Sequence, residues 1–421
     1  MSATPSPRSA SGADGHTDAR PDARPDAGPE ARSEARSEAR SEARSEARSD
    51  VWTWIDATPG LEALVERLRQ APRFALDTES NSMHAHRERI CLVQVSLPDG
   101  DALIDPLAVD LRPLAPVLAD PSIEKVMHGA DYDILCFKRE YGFSLAGLYD
   151  TMLAARVLGW RSHGLGPILH ERYGVVANKR MQRFDWGRRP LPEGALDYAR
   201  QDTRYLLELR EQQLAELRGV DREDELLHAC VRQERVEPRP SRADALGMWR
   251  IKGARGLPAG ARGVLRGLYE LREAVAEQLD RPVFQVMSDA LMLSIARQPP
   301  KDERALAELR GLHPTLRGRG GARVLRAIEA AREAEPPRPP AVDRGPGREV
   351  VARFDALRAW RKATAAERGL EPDLVLGKDT LMALAVAAPR TMEELRASGA
   401  LDEWEERRYG DGVLGVLRGG G

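Results

Sequence analysis

The chain has 421 residues, enough for about two to four domains, and its 42% hydrophobic content allows packed cores. Its 64 basic and 66 acidic residues leave a net charge of -2, which excludes a uniformly basic coat for nucleic acid but not a local patch. Cys91, Cys136 and Cys230 are far apart with no CxxC, and no apolar run reaches the ~18 residues of a membrane span, so a soluble chain of the reducing cytoplasm without a membrane partner is expected.

Residues 1–50 predict a disordered low-complexity tail. Ala-Arg-Pro-Asp tetrads give way to Ala-Arg-Ser-Glu between Ala31 and Glu46. That period places Glu34, Glu38, Glu42 and Glu46 at repulsive i,i+4 spacing and offers nothing large to bury. Residues 51–220 read as α/β. Trp52 to Ile55 predicts a strand, and Thr58 a cap for a helix from about Leu61 to Gln70. Phe74 to Glu79 predicts a strand, and Ile90 to Ser96 with Asp101 to Ile104 a hairpin turning at Asp99-Gly100. A helix over Leu111 to Leu118, a strand over Lys125 to His128 and a helix over Asp131 to Glu140 follow. Beyond these only helices are expected, near Asp150 to Leu158, Leu165 to Tyr173 and Glu193 to Leu217. Strands early and helices late give a mixed sheet with helices packed on it.

Residues 221–255 are expected to be a linker or helical connection, and 335–347 a stiff Pro-rich linker. They delimit two small all-α domains, 256–334 and 348–417. Pro282 and Pro372, Leu291-Met292 and Leu381-Met382, and Pro299 and Pro389 all lie 90 residues apart, which indicates a duplicated helical unit. Trp249, Trp360 and Trp404 are expected to pack within or between these units.

Four acids and a phenol carry the chemistry. Asp77 and Glu79 project from one face of a strand, where close like charges are costly unless a cation neutralises them. Alone, such a pair is commonly a solvated strand end. Asp133 follows Met127-His-Gly-Ala, a strand-to-helix turn in which Asp131 reads as an N-cap. Tyr198 and Asp202 share a helix face at i,i+4. His128 is expected to shape its turn rather than bind metal, and Asp150 to cap a helix. Together the set supplies oxygen donors only, suited to Mg²⁺ or Mn²⁺, and a shared pair of such ions is the usual device for in-line displacement at phosphorus. Tyr198 is placed to orient or deprotonate the attacking water.

Asp77-Thr-Glu79, His128 to Asp133 and Tyr198 to Asp202 resemble, in order and spacing, the three exonuclease motifs of the Tyr-bearing branch of the DEDD superfamily. Lys179-Arg-Met-Gln-Arg-Phe-Asp-Trp-Gly-Arg-Arg-Pro-Leu191 resembles the ribonuclease D family, and the two helical repeats resemble HRDC domains. The likeness spans about residues 51–417. It implies a ribonuclease H-like exonuclease domain followed by two HRDC-like domains. The implied activity is 3′-to-5′ hydrolysis of RNA, releasing nucleoside 5′-monophosphates, with tRNA precursors as substrates and two divalent ions per site. Asp77, Glu79, Asp133 and Asp202 are the implied metal ligands, and Tyr198 the group that assists water. The N-terminal tail is not explained by the likeness.

Lys179, Arg180, Arg183, Arg188 and Arg189 stand against one acid, Asp185, and are candidates for RNA contact; the alternative is a solvated loop paired with Asp185. Residues 262–332 hold 13 basic and 9 acidic side chains, with Arg317, Arg319, Arg323 and Arg326 dense near their end. A monomer is expected. A DNA exonuclease with the same site, and a silent nucleic-acid adaptor, are the competing readings.

Overall fold

Six strands form one mixed sheet: β1 Trp52–Ile55, β2 Arg73–Ser80, β3 Ile90–Leu97, β4 Gly100–Ile104, β5 Glu124–Met127 and β6 Leu148–Asp150. The computed structural model describes residues 51–176, 178, 180–238, 244–340 and 345–419; the tail expected over 1–50, Lys179 and parts of both linkers lie outside the described residues. Strand order is β1-β4-β3-β2-β5-β6. β3 is antiparallel to β2 and β4, while β1–β4, β2–β5 and β5–β6 are parallel. All eight residues of β3 are buried, which matches its apolar run Ile90-Cys-Leu-Val-Gln-Val-Ser-Leu97 near the middle of a covered sheet.

Among the described residues eight helices belong to this layer: α1 Thr58–Gln70, α2 Ala115–Ala119, α3 Asp131–Tyr141, α4 Thr151–Leu158, α5 Leu165–Tyr173, α6 Glu193–Arg204, α7 Leu206–Gly219 and α8 Glu223–Glu234. Helix α1 buries Leu61, Leu64, Val65 and Leu68, the i, i+3, i+4, i+7 stripe of an amphipathic helix. Each such leucine contributes about 1.5–3 kcal/mol by leaving water. Lys125 on β5 is fully buried and donates to the carbonyls of Val117, Asp120 and Ile123, closing the end of α2. Burial pushes its ammonium down to about 8.

Three local expectations differ from the structure. Thr58 lies inside α1 rather than capping it; Ala57 is the N-cap and no side chain caps the helix. Leu148–Asp150 forms a strand that its three residues are too few to announce by alternation. The helix expected over Glu193 to Leu217 breaks at Tyr205 into α6 and α7.

Two helical units follow. The first contains α9 Ala259–Leu279, α10 Val283–Val286, α11 Asp289–Arg297, α12 Glu303–Ala307 and α13 Gly321–Glu333. The second contains α14 Arg348–Arg368, α15 Pro372–Val375, α16 Lys378–Ala387, α17 Met392–Ser398 and α18 Glu403–Gly419, the same order of lengths at nearly constant offset. Each unit has its own core, around Leu265, Leu268 and Val324 in one and Leu357, Leu381 and Val413 in the other. Within 221–255, α8 buries Leu226, Ala229 and Cys230 in the sheet core, whereas Met248, Trp249 and Ile251 belong to the first helical core. The second unit also reaches the sheet domain: Leu370 and Leu374 join its core, and Arg156 pairs with Glu371 and Asp373. Trp404 stacks on His228 of α8 with ring centroids 4.3 Å apart, so it packs between units.

Candidate active site

β2 pairs with β5 only from Arg73 to Ala75, whereas its pairing with β3 continues to Ser80. Beyond Ala75 the β5-side edge of β2 is therefore open. The first turn of α3 comes to that edge, and the Thr78 hydroxyl donates a very short hydrogen bond to the buried Asp133 carboxylate. Asp77 and Glu79 stand opposite Gln94 and Leu92 of β3, both on one face as the i,i+2 spacing requires.

The turn that delivers Asp133 is built from Gly129 and Asp150. Gly129 has φ +70°, and a Cβ there would lie 2.7 Å from the Met152 methyl, so both conformation and space call for glycine. The fully buried Asp150 carboxylate accepts from Gly129 N (3.0 Å) and Ala130 N (2.8 Å) as well as from Met152 N and Leu153 N of α4. It is thus the cap expected from sequence, and also the clamp on the preceding turn. Asp131 does not cap α3; Ala130 is the N-cap, no side chain caps the helix and Asp131 is exposed. His128 Nδ1 meets Thr151 Oγ1 at 2.8 Å, and Thr151 donates to Met127 O, so the imidazole shapes the turn. Burial lowers its pKa to about 4, which leaves it neutral.

Tyr198 and Asp202 ride on α6, whose Ala195 and Ala199 pack with Cys91, Leu92, Leu103 and Trp186. The Tyr198 ring lies 6.2 Å from that of Trp186. Two buried polar links fix the helix to the sheet: Thr203 Oγ1 meets Ser96 Oγ at 2.8 Å, and Arg200 Nε donates to Asp101 at 3.3 Å. Ser96 donates in turn to Asp101 at 2.7 Å.

The five groups share one electrostatic neighbourhood. Burial first, then repulsion from Asp133, Asp202 and Glu79, holds the Asp77 carboxyl well above the carboxylate range. Burial and the neighbouring carboxylates push Glu79 to about 9 and Asp202 to about 8. Asp133 rises to about 7 through burial, opposed by its hydrogen bonds with Thr78. Among the described residues no Lys or Arg draws any of the four down. Enclosed, partly buried oxygen donors without a neutralising side chain among the described residues fit hard divalent cations. The Tyr198 phenol is raised above its ordinary 10, by burial and then by Asp202, Glu79 and Asp77. Its protonated form is favoured, which leaves a hydroxyl able to orient a water.

The candidate RNA contacts separate. Arg180, Arg183 and Arg188 are exposed, and Lys179 lies outside the described residues. Arg189 is a correction: Nε and Nη2 grip Asp105 at 2.6 Å each, Nη1 donates to Trp186 O and Arg188 O, and Nη2 to Cys91 O. With every donor engaged inside the protein, it anchors the loop before α6 rather than facing a phosphate. Asp185 accepts from Gly187 N and forms no ion pair with the loop arginines among the described residues. Thr78, Ser96, Asp101, Asp105 and Arg200 escape sequence reasoning because their partners lie 55 to 107 residues away.

Residues 52–218 match the family model of a 3′-5′ exonuclease, and 261–328 and 351–417 each match the HRDC domain. The chain is 30% identical over 372 residues to a ribonuclease D of Gluconacetobacter diazotrophicus, covering 87% of this chain and 92% of that one. It is 32% identical to the ribonuclease D of Pseudomonas paraeruginosa over 86% of this chain and 97% of that protein. Among solved structures, Escherichia coli ribonuclease D, described as an exoribonuclease involved in structured RNA processing, matches with TM-score 0.60 and 25% identity over 88% of this chain and 99% of that one. The catalytic core of RRP6 from Trypanosoma brucei matches with TM-score 0.60 and 25% identity over 67% of this chain and 80% of that one.

Proposed function

From a chain that belongs to the ribonuclease D family of 3′-5′ exoribonucleases, we propose a metal-dependent enzyme that trims the 3′ ends of structured RNA, tRNA precursors foremost, in the cytoplasm. Asp77, Glu79, Asp133 and Asp202 are the ligands in this reading, for two Mg²⁺ or Mn²⁺ ions. When bound, these ions lower the pKa of water and neutralise charge on the departing 3′ oxygen. The single observation that carries the assignment is the cluster of four enclosed carboxylates, raised by burial first and then, for Asp77, Glu79 and Asp202, by one another, with no cationic side chain among the described residues to offset them.

The chain's own groups supply position. Thr78 holds Asp133 at the open edge of β2, and Asp150 fixes the turn from which Asp133 extends. Tyr198, protonated and held beside Trp186, donates or accepts a hydrogen bond that aligns the attacking water. Arg180, Arg183 and Arg188, exposed on the loop before α6, hold the RNA backbone. The buried, unpaired cysteines agree with a reducing compartment. The protein acts as a monomer.

Purified protein is incubated with 3′-labelled RNA and the matching DNA, with Mg²⁺, with Mn²⁺ and with chelator. Stepwise release of nucleoside 5′-monophosphates from RNA, dependent on the ion, is the expected result. Preference for DNA selects the repair-type exonuclease, and binding without hydrolysis selects the adaptor.

A further inference from the structure

A cavity of about 360 Å³ lies where the segment after β2 faces the end of helix α9 of the first helical unit. Its lining includes Asn81, which follows the end of β2 two residues after Glu79, and Cys91 of the neighbouring strand β3. Arg188 reaches it from the loop before α6, and Arg281 from the residue pair that ends α9. Both guanidinium groups form no ion pair among the described residues. Two acids share the same wall, each with a backbone partner. Asp280 accepts from His86 N at 3.2 Å and faces Arg89 at 3.9 Å, and Asp185 accepts from Gly187 N. The Asn81 side-chain oxygen Oδ1 accepts from Arg89 N, and Asn81, a residue 5% exposed in the cavity wall, keeps its amide nitrogen as a donor. Two unpaired planar cations and a fixed amide donor, brought together from three separate segments, make a receptor for a phosphodiester.

We propose that this cavity is a subsite for a backbone phosphate of the RNA upstream of the scissile bond, shared between the exonuclease domain and the first helical unit. It rests on the reading of RNA as substrate and adds a specific job for the helical unit: Arg281 extends the substrate track beyond the catalytic carboxylates. A chain too short to reach the cavity gains nothing from it, whereas a longer one gains affinity. The first helical unit then selects for substrate length through one arginine rather than through its charge as a whole.

The test compares kcat/KM for a dinucleotide and for a 3′-labelled single-stranded octanucleotide, in the full chain and in Arg281→Gln, Arg281→Lys and Arg188→Gln, with melting curves for each. The preference of the full chain for the octanucleotide is expected to fall on the order of tenfold in Arg281→Gln, through KM rather than kcat, and to recover in part in Arg281→Lys. The slope of log affinity against log salt for the octanucleotide is expected to drop by about 0.7 for each arginine removed. A folded Arg281→Gln protein that keeps both the length preference and the salt slope overturns the subsite. Hydrolysis of neither RNA by the full chain overturns instead the reading of the substrate, and the subsite with it.

Discussion

Arg189 and Asp105 form a two-armed ion pair, with Nε and Nη2 each 2.6 Å from a carboxylate oxygen, and the pair ties the loop before α6 to the end of β4. Asp105 is buried while the Arg189 side chain keeps a quarter of its surface in water. Arg189→Gln is expected to destabilise the protein by roughly 2–4 kcal/mol, less than a fully enclosed pair because of that exposure. RNA affinity measured across a salt series should keep its slope. A slope lowered as in Arg183→Gln would return Arg189 to the phosphate-binding set.

Asp77→Asn is expected to abolish hydrolysis with the fold intact. Asn replaces a carboxyl whose ionisation burial and its neighbours already oppose, so the metal-free variant should melt at or above the temperature of the parent chain. Substantial hydrolysis by this variant in Mg²⁺ would remove Asp77 from the ligand set.

Metal-free stability should depend on pH with a definite sign. Glu79 rises from 4.5 to about 9 and Asp202 from 3.8 to about 8 on folding. Between those values the folded chain holds protons that the unfolded chain has released, so stability falls as pH rises through the window. Melting temperature is expected to decline between about pH 5 and pH 9 without metal, and the decline to shrink with saturating Mg²⁺, which stabilises the ionised cluster. A flat metal-free profile contradicts the electrostatic account.

Tyr198→Phe keeps the ring against Trp186 and removes only the hydroxyl. Turnover under single-turnover conditions is expected to fall by about 10²- to 10⁴-fold, with metal and RNA affinity nearly unchanged. Wild-type turnover would make the residue a packing element of α6.

Truncation after Arg235 retains the sheet and α8 but removes Leu370 and Leu374, which pack into the same core, and the Arg156 partners Glu371 and Asp373. The truncate is expected to fold and to trim short single-stranded RNA. Its stability should drop by on the order of 2–4 kcal/mol as the nuclease side of that contact is exposed. Affinity for a tRNA precursor should weaken most at low salt. Equal stability of both forms would show the second helical unit to be tethered rather than docked.

What is local can be read from the order of residues. Alternation and turn residues mark five of the six strands among the described residues, and the i,i+2 and i,i+4 spacings place Asp77 with Glu79 and Tyr198 with Asp202 on common faces. Side-chain direction over a few residues follows from backbone geometry alone, which is why those pairs were legible. Asp133 was found as a candidate, but its meeting with Thr78 needed β2 to part from β5 after Ala75, a property of sheet register across some fifty residues. The same reason hid Arg189. A run of arginines has one appearance in sequence whether it faces solvent or a buried Asp105 84 residues away, and only the packing of the α6 loop against β4 decided between them.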